Sequence, residues 1–167
     1  GKVYRIGVLS AGPPPRQLAA FPQALRELGW IEGKNVVFEF RFAEDRLERV
    51  PELAAELVRL NVDVIVTMGT LAPLAAKRAT TTIPIVMSSA GDPLGTGLVA
   101  SLARPGGNVT GLSMMVPELG GKRLQMLKEI LPGVSRVAIL WNAANPYPAL
   151  VVRETEGAAR TLGIQPQ

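Results

Sequence analysis

Val62-Asp63-Val64-Ile65-Val66-Thr67-Met68-Gly69-Thr70, followed at once by Leu71–Ala79, is the stretch whose reading decides the fold. A β-branched apolar run stops at a Gly-Thr pair, and a segment with helical character begins on the other side. The run reads as a strand buried on both faces, of the kind found in parallel sheets covered by helices. Its arrest at Gly69-Thr70 puts small polar groups and a helix N-terminus at the carboxyl end of a strand. Open α/β sheets bind their ligands there.

Upstream, Val3–Ser10 predicts a first strand ending in Ser10-Ala11-Gly12, with Pro13–Pro15 as a stiff loop after it. Leu18, Phe21, Leu25 and Leu28 recur at helical spacing over Gln17–Leu28, and Gly29 supplies the stop. Asn35–Phe42 alternates Val36, Phe38, Phe40 and Phe42 with Val37, Glu39 and Arg41, a half-exposed strand at a sheet edge. Asp45 and Glu48 have capping-box spacing before a helix carrying Leu53, Leu57 and Leu60. Pro51 inside it implies either a short turn before the helix proper or a kink.

Downstream, Ile83–Met87 predicts a buried strand ending in the loop Ser88-Ser89-Ala90-Gly91-Asp92-Pro93, and Leu94–Leu102 a short helix. Arg104-Pro105-Gly106-Gly107-Asn108 is a strong turn signal before a fifth strand, Val109–Met115. Gly121–Leu131 predicts a helix, Arg136–Trp141 a sixth strand ending in Asn142–Asn145, and Ala149–Leu162 a last helix stopped by Gly163. Strands and helices alternate throughout, so the fold class is α/β with a doubly wound parallel sheet.

Composition narrows the function. The 167 residues are 47% hydrophobic and 19% charged, enough for an ordinary globular core. No apolar run approaches the ~20 residues that span a bilayer. The formal charge of +4 is spread over scattered Arg and Lys with acidic neighbours, without a stacking platform, which argues against nucleic acid. Cysteine and histidine are both absent. That excludes disulfides, thiol nucleophiles and zinc sites built on Cys or His, and removes the commonest general base at neutral pH. A cysteine-free chain suits an oxidising compartment. The chain opens almost directly on a strand, so a signal peptide is expected to lie outside it.

Four strands are expected to end in small polar loops along one rim: Ser10-Ala11, Gly69-Thr70, Ser88-Ser89 with Asp92, and Asn142 with Asn145. Helix N-termini there suit a carboxylate or another anion, and short hydroxyl and amide groups bond a ligand in either polarity. Each residue also has a plain structural role open to it. Thr70 and Ser89 fit equally as N-caps. Asp92 before Pro93 fits a turn or cap, or, as the only acid expected on the rim, a partner for a ligand ammonium group. Trp141 fits the core or ligand stacking, and Met114 and Met115 fit core or hinge filling. Dinucleotide, P-loop and nucleophile-elbow motifs are absent from the sequence, and a serine triad lacks its histidine. The rim reads as a binding surface without catalytic residues, metal or cofactor.

Several blocks resemble a known family. They are Arg26-Glu27-Leu28-Gly29-Trp30-Ile31-Glu32-Gly33-Lys34-Asn35, Pro51-Glu52-Leu53-Ala54-Ala55-Glu56-Leu57-Val58 and Asp63-Val64-Ile65-Val66. Leu98-Val99-Ala100-Ser101-Leu102-Ala103-Arg104-Pro105-Gly106-Gly107-Asn108-Val109-Thr110-Gly111-Leu112-Ser113 and Val137-Ala138-Ile139-Leu140-Trp141-Asn142 follow in order. The chain resembles the substrate-binding proteins of ABC importers, in the group linked to tryptophan and other aromatic amino acids. The resemblance implies a type I periplasmic-binding-protein fold, with two α/β lobes closing on a small molecule. Lobe one would be 1–113, a hinge or crossover 114–120, and 121–167 the beginning of an incomplete lobe two. Ser10, Ala11, Gly69, Thr70, Ser88, Ser89 and Asp92 would line the first wall of the cleft, with Asn142 and Asn145 on the second.

The implied partners are a small-molecule solute and a membrane permease of the ABC transporter, in a periplasmic or other extracytoplasmic location. Two alternatives stay open: a flavodoxin-like nucleotide- or flavin-binding or enzyme domain, and a ligand-free fragment forming a homodimer through its half-built second lobe. Six strands could also fold as one doubly wound domain.

Overall fold

The computed structural model describes residues 1–16, 18–114 and 119–167, and the chain divides into two compact units, Gly1–Ser113 and Met114–Gln167. In the first unit, β1 (Tyr4–Ser10), β2 (Val36–Phe42), β3 (Val64–Met68), β4 (Ile85–Gly91) and β5 (Val109–Met114) form a five-stranded sheet in the order β2-β1-β3-β4-β5. β1 pairs in parallel with β2 and β3, and β3 with β4. The strand order reverses at β1 and β3, the topological switch point of such sheets.

Helices cover both faces. α2 (Val50–Arg59) and α3 (Leu71–Ala79) pack on one, where Leu53, Ala54, Leu57, Ala72 and Ala76 join Leu9, Ile65, Ile85 and Met87 in the main core. α1 (Ala20–Glu27) serves the other, with Phe21 edge-on to Phe38 at 5.8 Å and Phe38, Phe40 and Phe42 stacked in a row along β2. Because α1 buries none of its residues, this second face is only partly covered. Along β3, Ile65 and Thr67 are buried while Val64, Val66 and Met68 stay half-exposed. The strand is therefore not buried on both faces as its composition suggests.

Several local expectations change. Ser88–Gly91 are the last residues of β4 rather than a loop beyond it, because a register shift between Thr67 and Met68 brings Met68 opposite Ser89 and prolongs the pairing. Asp45 and Glu48 form no capping box. A 3₁₀ turn, Leu47–Arg49, precedes α2, whose N-cap Arg49 makes no side-chain bond, and Pro51 sits in the helix's first turn. Leu94–Leu102 is not helical: Asp92 and Gly97 both have positive φ, and the segment closes into turns. At β5, Gly111 has φ +132, and a side chain there would overlap the Met87 carbonyl, so the strands approach only because it is glycine.

The second unit holds α4 (Leu119–Ile130), α5 (Pro146–Leu162) and a two-stranded parallel sheet of β6 (Arg136–Val137) and β7 (Gln165–Pro166). Leu124, Ala159 and Ile164 form its small core. Of the expected strand Arg136–Trp141, only Arg136 and Val137 pair as a strand, opposite Gln165 and Pro166. Trp141 is exposed, not core, and Leu140 is fully exposed. Met114 is exposed as well, while Met115 and most of the expected hinge 114–120 lie outside the described residues.

Candidate functional site

The sheet's carboxyl rim gathers seven of the expected residues. Ser10 ends β1 and is buried, and its carbonyl accepts from Ala43 N–H at 3.0 Å. The Ala11 carbonyl accepts from Asp45 N–H at 2.9 Å, so the loops after β1 and β2 are knitted together. At the end of β3, Gly69 turns the chain with φ +73 into α3. Thr70 follows as the N-cap residue, yet its hydroxyl does not cap the helix. Instead Thr70, only 5% exposed, accepts Gly91 N–H at 3.2 Å through Oγ1, tying the end of β4 to the start of α3.

That bond leaves the first turn of α3 uncapped by a side chain. The amides of Leu71 and Ala72 and the positive end of the helix dipole point toward the rim, Pro73 having no N–H to add. Ser88 Oγ donates to the Thr67 carbonyl at 3.0 Å, and Ser89 is half-buried opposite Met68. Asp92 takes the turn role: its Oδ1 accepts Gly95 N–H at 2.9 Å and its carbonyl accepts both the N–H and the hydroxyl of Thr96.

Asn142 and Asn145 are not on this rim. They belong to the second unit, where Asn142 Oδ1 accepts Ala144 N–H at 2.9 Å and Asn145 caps α5 by accepting Tyr147 N–H at 3.1 Å. The single rim of four strand ends is corrected accordingly, because β6 pairs with β7 and not with the main sheet.

Asp92 is also not the only acid on the rim. β2 is parallel to β1, so the loop after it reaches the same end, and Asp45 Oδ1 comes 3.6 Å from the position a Cβ would take on Gly12. Glu44 and Asp45 both carry positive φ there. The parallel alternation carries this signal, which the capping-box spacing of Asp45 and Glu48 masks.

Beside Ser88 and Ser89 lies an apolar groove of about 620 Å³ on the α1 side of the sheet, lined by Pro15, Leu18, Phe21, Val66, Met68, Val86, Gly111 and Leu112. The Arg104–Asn108 block lies elsewhere. Asn108 Nδ2 donates to the carbonyls of Thr80 (3.1 Å) and Ile83 (2.8 Å), and the Asn108 carbonyl accepts Ile85 N–H, so it fastens the amino end of β4. At the amino end of β3, Lys2 Nζ donates to Asp63 Oδ1 at 2.5 Å. That bond, with a second from Arg5 N–H, holds the Asp63 carboxyl below its ordinary value and lifts the Lys2 ammonium above its own. Among the described residues no group of three or more His, Cys, Asp or Glu could hold a metal ion.

The family described as ABC transporter substrate binding protein matches residues 16–165. The chain belongs to this family. A tyrosine-binding protein of Clostridioides difficile is 32% identical to this chain over 124 residues, covering 74% of this chain and 35% of that relative. A conserved domain protein from Vibrio cholerae O1 biovar El Tor is 32% identical with a TM-score of 0.87, and an ABC domain from Streptococcus pneumoniae solved in complex with L-Trp is 27% identical with a TM-score of 0.85. Each alignment covers 99% of this chain and 56% of the other. The chain therefore spans about half the length of these solved relatives and about a third of the curated one. A leucine-binding protein from Thermotoga maritima shares the fold, with a TM-score of 0.71 at 18% identity. The architecture is that of type I periplasmic binding proteins. Among the described residues no helix is long and apolar enough to cross a membrane.

Proposed function

We propose that this chain carries a ligand-binding wall of the solute-binding component of an ABC importer, and that the solute is an amino acid with an aromatic or branched apolar side chain. The observation that carries this reading is the rim at the switch point, where Gly69, Thr70 and the uncapped first turn of α3 meet Ser10 and Ser89. A helix N-terminus with adjacent hydroxyls suits the ligand carboxylate. Asp45 and Asp92 are the candidate partners of its ammonium group. Relatives described as binding tyrosine and L-Trp support the substrate class.

In this reading Ser10, Ala11, Gly69, Thr70, Ser88, Ser89 and Asp92 belong to the first wall. The protein works outside the cytoplasm, delivers its solute to a membrane permease and catalyses no reaction. The sheet order β2-β1-β3-β4-β5 is shared with flavodoxin-like domains, so topology alone does not separate the two readings; family membership favours solute binding. Self-association through the second unit is a separate proposal, supported by the exposure of Leu140 and Trp141. Light scattering tests it, and a strict monomer at high concentration refutes it.

Isothermal titration calorimetry against all twenty amino acids tests the main reading. Saturable binding of aromatic or branched members supports it. Binding of a nucleotide or flavin with none of any amino acid overturns it.

A further inference from the structure

We propose that Lys77 is a positioning residue for the ligand rim: from the far end of α3 it holds the segment 91–98 against the helix whose N-terminus carries Thr70. The proposal rests on the reading that this rim binds the solute. Thr70 and Lys77 are seven residues apart, two helical turns on one face and about 10 Å along the axis. Each fixes one end of the same segment. At its start, Gly91 N–H donates to Thr70 Oγ1 at 3.2 Å. At its end, Lys77 Nζ donates to two successive carbonyls, Gly97 at 2.7 Å and Leu98 at 3.0 Å.

Between these two attachments the segment is closed on itself. Gly95 N–H donates to Asp92 Oδ1 at 2.9 Å, Thr96 N–H to the Asp92 carbonyl at 3.0 Å, and Leu98 N–H to the Pro93 carbonyl at 2.8 Å. Pro93 and Leu98 are fully buried. The segment thus behaves as one stiff body with two hydrogen-bonded fixings on α3, and losing the distal one loosens its hold at Gly91 and Asp92. An ammonium is suited to the task, with three donors on a compact charge and a place in the last turn of a helix, where cations are favoured. An exposed lysine usually lies free in solvent; two charge-assisted bonds to consecutive carbonyls set this one apart.

The test compares wild type with Lys77→Met, which keeps the apolar stem without donors, and Lys77→Arg, which restores charge and donors. Two readouts are taken on the full 167-residue chain: amide hydrogen exchange at Gly91, and calorimetric titration with L-tryptophan and L-tyrosine. Lys77→Met is expected to speed Gly91 exchange about tenfold and weaken amino-acid binding about fivefold, and Lys77→Arg to recover both. Unchanged affinity in Lys77→Met overturns the proposal even if exchange speeds up, since Lys77 would then only brace the fold. If wild type binds neither probe, the reading of the site fails and takes the proposal with it, whereas binding by wild type with unchanged affinity in Lys77→Met overturns the proposal alone.

Discussion

Replacing Thr70 with valine isolates the bond that joins the two central strand ends of the rim. Valine has nearly the same volume, so the packing around this buried side chain is kept while the acceptor for Gly91 N–H is removed. Gly91 is itself buried, so its N–H has no ready access to water once Oγ1 is gone. A buried donor left unpaired costs about 1–3 kcal/mol, and the extra methyl group returns less than 1 kcal/mol of that in transfer free energy. We expect a net loss of about 1–2 kcal/mol for the first unit. Urea unfolding followed by far-ultraviolet circular dichroism checks this. The midpoint should fall for Thr70→Val with the slope unchanged, because the surface exposed on unfolding is the same. Thr70→Ser keeps the oxygen and should stay within about 1 kcal/mol of wild type. Equal stability of wild type and Thr70→Val would refute the reasoning, since Gly91 N–H would then have another partner.

Three further outcomes follow. Gly111→Ala should be the more damaging change, because it combines a positive φ with overlap on the Met87 carbonyl; a loss of about 3 kcal/mol or more is expected by thermal unfolding, and a loss under 1 kcal/mol would show that β5 shifts freely. Asn145→Ala removes the cap on α5 and should destabilise the second unit by about 1 kcal/mol, leaving amide exchange in the first unit unchanged. The Asp63 carboxyl should titrate below its ordinary 3.8, chiefly because Lys2 bonds to its charged form. A folded pKa below the unfolded one means the contribution is present above that unfolded value and is lost as pH falls through the folded one. Carboxyl NMR should place the midpoint on the acid side of 3.8 and move it back up in Lys2→Met, and no movement would refute the assignment.

Much of the first unit was legible because its signals are local. The Gly-Thr arrest after β3, the alternation along β2 and the Pro51 position each follow from backbone chemistry within a few residues. The misreadings arose where distant pairing overrides local pattern. Leu94–Leu102 has enough apolar residues for a helix, yet Asp92 and Gly97 take positive φ and Lys77 holds the turn that results. Val62–Thr70 looks buried on both faces, but burial of Val64 and Val66 depends on what covers the α1 side, which its own residues do not encode. Arg136–Trp141 is apolar enough for a full strand, yet only Arg136 and Val137 pair, with Gln165 and Pro166.

The placement of the candidate site residues on the fold was legible in part. The strand end at Ser10 and the Gly69-Thr70 turn after β3 follow from the parallel alternation, whereas Ser88 and Ser89, expected in a loop, lie inside β4. Asp45 was missed because its loop looked like a helix entry, and its closeness to Gly12 emerges only when β2 lies beside β1. The block Arg104–Asn108 shows the opposite case, a specific sequence signal whose residues brace the amino end of β4 and stand apart from the rim.

The central claim is that the carboxyl ends of β1, β3 and β4 hold the solute. Chemical-shift mapping during an L-tryptophan titration tests it most directly. Saturable shifts are expected at the amides of Ser10, Gly69, Leu71, Ala72 and Ser89, with Arg104–Asn108 silent. Saturable binding that moves Arg104–Asn108 and leaves the rim still would contradict it.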